Sequence, residues 1–266
     1  MRVRPLLFFL LILFLFAPSS AQVSNLRAQA ELDQGVIEYQ KAQYESAAKH
    51  LKKAVQLDPG SALARMYLAK TLSEQFQPDM QTTKNLAFAD QAMEQFEELL
   101  KLQPRNVEAM NGLALILMRR QKPDEARRYY QQAIAIEPNN VTAHDGMGMM
   151  DWLAAERKLV QARQKDGTQS MQSAIADPLC PSRRAEALPL LDAAIKEFTR
   201  AFTVNQDDET AATYIGVAYT WRADLECGDP KARQDDLQQI PIWSDRAQQA
   251  RKRRPEQSPI FTPVKL

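Results

Sequence analysis

Glycine is scarce in this chain, 8 of 266 residues, and cysteine and histidine are scarcer still, with two of each. With so little glycine and few runs of β-branched residues, there is little from which to build pleated strands, while Ala, Leu, Gln and Arg lean towards helix. An all-α fold is expected. The shortage of histidine and cysteine leaves no metal-ligand spacing. His50 and His144 lie far apart in sequence, each on a predicted helix, where a lone histidine is ordinarily structural or solvent-facing. A surplus of either charge is also lacking, with 34 Lys and Arg against 33 Asp and Glu. Nucleic acid would need a concentrated basic face, so that class of partner is not expected. What the chain does have is 45% hydrophobic and 25% charged residues, enough for an extensive core.

One long apolar run stands out, Leu6 to Phe16, preceded by Arg2 and Arg4 and followed by Ala17-Pro-Ser-Ser-Ala21, with small residues at Ser19 and Ala21. This is the pattern of a cleavable secretory signal over residues 1–21. The run is about 12 residues, short of the roughly 20 that span a bilayer as a helix. An uncleaved anchor is the alternative reading. No cysteine follows the run, so a lipid-anchored terminus is not indicated. Cleavage would leave 32 basic and 33 acidic residues, a mature chain near neutrality with no membrane span. The expected localisation is exported, periplasmic or secreted, in a bacterial host.

Between Val107 and Asn140 the chain shows spaced landmarks that recur on both sides. Pro104 and Pro138 are 34 residues apart, and Leu113, Ala114, Leu117, Ala126, Tyr130 and Ala133 fall between them at helical spacing. Lys122-Pro-Asp-Glu-Ala126 reads as the turn between two helices, with Pro123 in a first helical turn. This stretch resembles a tetratricopeptide repeat, a 34-residue helix-turn-helix unit with small residues where its helices approach and large apolar ones between neighbouring units. The resemblance implies an all-α, right-handed superhelical solenoid of about five units within residues 22–254, since one unit alone cannot bury both faces.

The units are expected at about 28–61, 62–106, 107–140, 141–208 and 209–254. In the first, Gly35, Tyr44, Ala47, Leu51, Ala54 and Pro59 match. Its first helix departs from the pattern with Glu31, Gln34 and Glu38, either because a terminal unit is atypical or because the register slips to Leu32, Val36 and Tyr39. The second carries Leu68, Ala69, Leu72, Ala92, Phe96, Leu99 and Leu102, with surplus residues near Phe76 to Thr83. In the fourth, Met147 and Gly148 hold the Leu-Gly positions, the first helix runs to about Arg163, and a connection over 165–182 precedes a helix from near Arg183 through Ala194, Phe198 and Ala201. The fifth has Ile215, Gly216 and Tyr219, then a second helix interrupted by Pro241, with Trp243 to Arg254 as a last helix. Residues 255–266, with three prolines, are expected to be an extended or disordered tail.

The resemblance implies a function class, the binding of a protein or peptide in a concave face lined by the first helices. Mapped onto this chain, the lining residues are Tyr67, Lys70, Asn111, Leu115, Met118, Arg119, Asp145, Met149, Trp152, Tyr214, Val217 and Trp221. Met and aromatic side chains suit adaptable apolar recognition. The alternative for Met149 and Trp152 is a place in the core. Family members that grip a chaperone's carboxylate tail use Lys and Asn where this chain has Leu32 and Val36, so that mode is not expected. Stacking would also bring the connections that hold Cys180 and Cys227 to one edge. An exported chain would then pair them as a disulfide, the alternative being two free structural thiols.

Catalysis finds no footing in the pattern. His144 and Asp145 are adjacent and so diverge on a helix. Gly146-Met-Gly148 lacks the preceding strand of a phosphate loop. No catalytic residue, cofactor or metal is expected. Arg251 to Arg254 reads either as cations favourable to a helix C-terminus or as a contact for an anionic surface. Asn140-Val-Thr142 fits a glycosylation acceptor only in a eukaryotic host. The leading expectation is an exported, non-catalytic interaction scaffold. The rival is a structural envelope component acting by self-association or attachment to membrane or wall.

Overall fold

In a computed structural model, residues 20–166 and 180–253 are described, and among them lie ten helices and no strand. All but the last two residues of the expected signal, most of the 165–182 connection and the 255–266 tail lie outside the described residues. The helices are α1 (Ser20–Gln40), α2 (Tyr44–Leu57), α3 (Ala62–Gln75), α4 (Thr83–Leu102), α5 (Val107–Arg119), α6 (Pro123–Ile136), α7 (Val141–Asp166), α8 (Cys180–Val204), α9 (Glu209–Leu225) and α10 (Pro230–Arg253). Taken in chain order they make five helix-turn-helix pairs. The chain forms two compact units, up to Ile116 and from Leu117 onwards, and the division falls inside α5.

In the first unit, α1 and α2 close on small residues. Gly35 lies so near Leu51 that a Cβ there would stand 2.6 Å from Leu51 Cγ. Ala28, Leu32, Ala47, Leu51 and Ala54 are buried, and the turn between the helices is made by Ala42 at φ 57°. Leu32 is therefore core, and Glu38 is also buried, receiving a 2.8 Å hydrogen bond from Gln34 Nε2. Val36 and Tyr39 are half-buried, so neither reading of the register describes this face alone. Ser61 and Thr82 cap α3 and α4, each accepting from the backbone N–H three residues on.

Sequence spacing located the surplus of the second repeat near Phe76 to Thr83, and one side chain organises it. Asn85, buried in the first turn of α4, donates through Nδ2 to the carbonyls of Gln77 and Met80, both at 2.6 Å, and accepts from Gln77 N at 2.9 Å. A loop whose backbone groups are met by one buried amide is held in place. Gly112 of α5 completes the unit, its absent Cβ leaving room for the buried Phe96 ring.

The second unit begins with the last turn of α5. Gln121, at φ 58°, turns the chain, and Lys122 N donates to Leu117 O at 2.9 Å before Pro123 starts α6. α7 is capped by Asn140, whose Oδ1 accepts from Ala143 N at 2.9 Å while Nδ2 donates to Glu137 Oε2 at 2.9 Å. Both ends of the would-be glycosylation amide are thus used within the fold. α7 continues to Asp166, a little beyond the expected Arg163, and α8 begins at Cys180 rather than near Arg183.

Pro241 does not interrupt the last helix. α10 runs unbroken from Pro230 to Arg253, and α8 likewise contains Pro189. A proline inside a helix forfeits one hydrogen bond and crowds the preceding turn, at a cost of about 3 kcal/mol. Both prolines are exposed, so the released carbonyls face water. Anchors on either side of Pro241 hold the helix: buried Asp236, which receives Arg222, and buried Trp243, packed edge-to-face against Phe202 with centroids 5.3 Å apart.

The two glycines read from the repeat pattern in α7 mark the tightest packing of this unit. A Cβ on Gly146 would lie 2.2 Å from Cζ of Tyr130, and one on Gly148 would lie 2.9 Å from Cγ of Phe198. Tyr130 and Phe198 are both fully buried and have nowhere to move. Gly146→Ala is expected to destabilise the protein by about 1–3 kcal/mol, the overpacking outweighing a gain in helix propensity of about 1 kcal/mol. Urea denaturation checks this: a midpoint unchanged or raised in the variant would mean that Tyr130 yields.

Candidate functional site

The twelve expected lining residues divide between the two units. In the first, Tyr67 is half-buried and meets the Tyr39 ring edge-on at 5.7 Å, and Tyr39 in turn packs against Tyr44 at 5.8 Å. Burial is the main reason the Tyr39 hydroxyl is pushed up to about 12, with the Glu74 carboxylate adding to it. Lys70 lies 5.8 Å from the Tyr67 ring centroid and pairs with Glu108. Asn111 is buried, and Leu115 is half-buried.

In the second unit the remaining residues separate by depth. Met149 is core at 5% exposure, and Asp145 is buried at 4%. Above them lies a ledge of half-exposed side chains on α7 and α9. Trp152 stacks on Trp221, with centroids 4.8 Å apart and planes 24° apart. Tyr214 meets Trp152 edge-on at 5.1 Å and lies flat on the buried Phe198 ring at 5.5 Å. Met118, Tyr219 and Trp221 pack against the same core, and Val217 is half-buried. The residues come together because Trp152 follows Gly148 by one turn on α7, while Tyr214 and Trp221 lie seven apart on one stripe of α9.

The ledge is apolar and firmly backed. Phe198 and Ile215, both without exposure, lie in the core beneath it. Burial raises the Tyr214 hydroxyl above its ordinary range, and Glu156 adds to the shift. The Trp152 indole N–H has no hydrogen-bond acceptor. Sequence reasoning passed over Phe198 as a ledge support, since it was read only as a repeat landmark on the second helix.

A pair of acids joins α7 to α9, a partnership that no local pattern indicated. Asp208 caps α9, accepting from Ala211 N at 2.9 Å. Asp145 approaches it from α7 with no donor for its Oδ1. Two buried carboxylates repel each other, so the one without donors keeps the proton and hydrogen-bonds to the other. The Asp145 carboxyl is accordingly pushed up to about 9, first by burial and then by Asp208.

Its neighbour His144 points elsewhere, as adjacency on a helix requires. His144 Nδ1 lies 2.6 Å from Glu197 Oε2, and Nε2 lies 2.9 Å from the Pro138 carbonyl. Both partners are acceptors, so the contacts need two protons between the imidazole and the carboxyl. In the first unit, His50 Nδ1 lies 2.6 Å from Glu31 Oε2. The Glu31 carboxyl is held below its usual range chiefly by that hydrogen bond. Each histidine thus has a carboxylate partner within its own unit, and no cluster of three metal-ligating side chains occurs among the described residues.

At the edge of the second unit, Cys180 and Cys227 form a disulfide with Cα atoms 6.0 Å apart. Arg184 reinforces the junction by donating to Glu226 Oε2 through Nε and Nη2 at 3.1 and 2.9 Å. Further along, Arg222 binds both oxygens of Asp236 and one of Asp192, linking α9 to α10 and α8. These hydrogen bonds raise the guanidinium above its ordinary range. The basic end of α10 is paired as well. Arg251 donates to Glu209 at 2.8 Å, and Arg253 reaches Asp207 and the Gln206 carbonyl.

Consecutive helix pairs closed by glycine and alanine, with aromatic rings between neighbours, define an α-helical repeat scaffold. Residues 86–141 match the sequence model of a tetratricopeptide repeat. Solved structures carry the likeness across most of the chain. The MamA protein, at 15% identity and a TM-score of 0.51, covers 89% of this chain and 98% of its own. A double mutant of MamA from RS-1, at 12% identity and a TM-score of 0.52, covers 87% and 98%. PilF of Pseudomonas aeruginosa, at 14% identity and a TM-score of 0.50, covers 88% and 95%. At these identities the likeness is one of fold. No curated protein matches the sequence. No described helix is long and apolar enough to cross a membrane.

Proposed function

We propose that this protein is an exported, non-catalytic scaffold that docks an apolar segment of a protein partner on the ledge of its second unit. The observation that carries the reading is the half-buried triad Trp152, Tyr214 and Trp221, with Met118 packed against the same core. Aromatic rings bring large contact area at low entropic cost, and they sit on side chains that cannot retreat. Asp145 and Met149, buried beneath, support the ledge rather than touch a ligand. The disulfide supports an oxidising compartment, as does the signal-like pattern of residues 1–21.

Met118→Asp combined with Trp152→Ala tests the reading. Crosslinking of the protein in its own envelope, followed by identification of what it captures, should show a partner lost or reduced at least about tenfold by the double variant, as expected when hot-spot contacts are removed. Unchanged capture by a variant with native circular dichroism would place the partner elsewhere. One observation favours self-association as the second reading: Leu237 and Ile242 are exposed on the terminal helix α10. Sedimentation of Leu237→Lys/Ile242→Lys against the wild type separates the two, since only the second reading expects a change in mass.

A further inference from the structure

The first unit gathers three tyrosines around its first turn. α1 ends at Gln40, Ala42 takes its positive φ, and Gln43 N donates to Glu38 O at 2.9 Å. Tyr44, the first residue of α2, is thereby returned to Tyr39 in the last turn of α1, with ring centroids 5.8 Å apart and planes 57° apart. Tyr67 of α3 meets the same Tyr39 ring at 5.7 Å with planes 75° apart. All three side chains are half-buried, and among the described residues none of their hydroxyls makes a hydrogen bond. The cluster is therefore not a closed piece of core.

A carboxylate stands with the rings. Glu74 follows Tyr67 by seven residues on one stripe of α3, is exposed, and acts on the hydroxyls of both Tyr39 and Tyr44. Among the described residues it forms no ion pair or hydrogen bond. Lys70, on the same stripe, is already engaged, paired with Glu108 while its Nζ lies 5.8 Å from the Tyr67 ring centroid. The groups that act most strongly on the Tyr39 hydroxyl are Glu74, Tyr44, Tyr67 and Glu108, none of them a cation. With Lys70 set against Glu108, one negative charge is left over at Glu74, beside three aromatic rings.

We propose that Tyr39, Tyr44, Tyr67 and Glu74, none of which belongs to the ledge, form a binding site for an arginine side chain of a partner polypeptide. A guanidinium is planar, permanently charged and weakly hydrated, so it lies against tyrosine faces and donates in a fork to a carboxylate. The phenol oxygens accept from its remaining N–H groups. Lys70 shows on a small scale that a cation rests beside the Tyr67 ring. An acidic segment would meet Glu74 as a like charge, and a purely apolar one would cover that carboxylate without pairing it.

The probes are the blocked pentapeptide acetyl-Ala-Ala-Arg-Ala-Ala-amide and its counterpart with neutral citrulline in place of arginine. Each is titrated into the full chain carrying isotope-labelled tyrosine rings and followed by nuclear magnetic resonance. The arginine peptide should shift the rings of Tyr39, Tyr44 and Tyr67 and bind at least about fivefold tighter than the citrulline peptide. Glu74→Gln, at an exposed position, should keep the fold and remove most of that preference. Tyr67→Leu, with helical circular dichroism unchanged, should weaken the arginine peptide about threefold. Equal affinity for the two peptides would overturn the proposal, as would no binding of either. So would a preference that survives Glu74→Gln, or shifts confined to Tyr214 and Tyr219 of the second unit. Each of these failures leaves the docking of an apolar segment on the ledge to the capture experiment, which reads different residues.

Discussion

Asp145→Asn should stabilise the protein at pH 8 and flatten its dependence on pH. In the fold this carboxyl titrates at about 9, against an ordinary value of 3.8. A group whose folded value is raised contributes its full stability below the unfolded value and loses it as pH rises towards the folded one. Between pH 4 and 9 the unfolded chain releases a proton that the folded chain keeps, so stability falls with rising pH by up to about 1.4 kcal/mol per unit. An amide of the same shape donates to Asp208 without a proton to lose. The variant should therefore exceed the wild type by several kcal/mol at pH 8, up to about 5 at that slope over four units, and the two should converge near pH 4. Thermal unfolding at both pH values decides it. A variant less stable than wild type at pH 8 would show that the pair is not sharing a proton.

Removal of the disulfide is expected to have an effect of similar size and of the opposite sign. Cys180 and Cys227 enclose a sequence separation of 47, and in the chain-entropy description opening such a loop costs about 4 kcal/mol. Native strain and residual structure in the unfolded chain commonly reduce this, so Cys180→Ser/Cys227→Ser should lose about 2–4 kcal/mol. The loss has a location. Cys180 is the first described residue of α8 and is buried, and Cys227 lies in the turn before α10. Hydrogen exchange should therefore rise first in the opening turns of α8, ahead of the core around Phe198. Protein denatured without reductant should show no titratable thiol, and two thiols in that assay would remove the basis of the prediction.

The ledge and the acid pair place different demands on the same helix. α7 carries Asp145 and Trp152 seven apart on one stripe, the first buried and the second half-buried, and the pairing of Asp145 with Asp208 ties α7 to the start of α9, which carries Tyr214. An aromatic ledge built from two helices keeps its geometry only if those helices hold their register. Phe198 against Gly148 on one side, and the two carboxyls on another, supply that constraint. Stability and the proposed docking face thus meet at the contact between α7 and α9.

How much of this could be read from the residues varies with the range of the interaction. The regular repeat of small and large residues from Val107 to Asn140 was legible because each landmark answers to a neighbour a helix turn or one repeat away. Gly146 and Gly148 were legible as repeat glycines for the same reason. Pro241 was misread because sequence shows the lost hydrogen bond and not the anchors at Asp236 and Trp243 that outweigh it. The start of α8 at Cys180 likewise depends on a bond to a residue far along the chain.

By itself the sequence determined the helical class, the period of the repeat and the set of apolar side chains that recur on one stripe, because these follow from local propensity and spacing. Only the tertiary structure decided which of those side chains are surface and which are core, sending Met149 and Asp145 inward and leaving Trp152, Tyr214 and Trp221 half-exposed. Burial and proton sharing depend on what a distant segment brings against a residue, and for Asp145 that segment is the cap of α9 at Asp208, which no spacing along the chain announces.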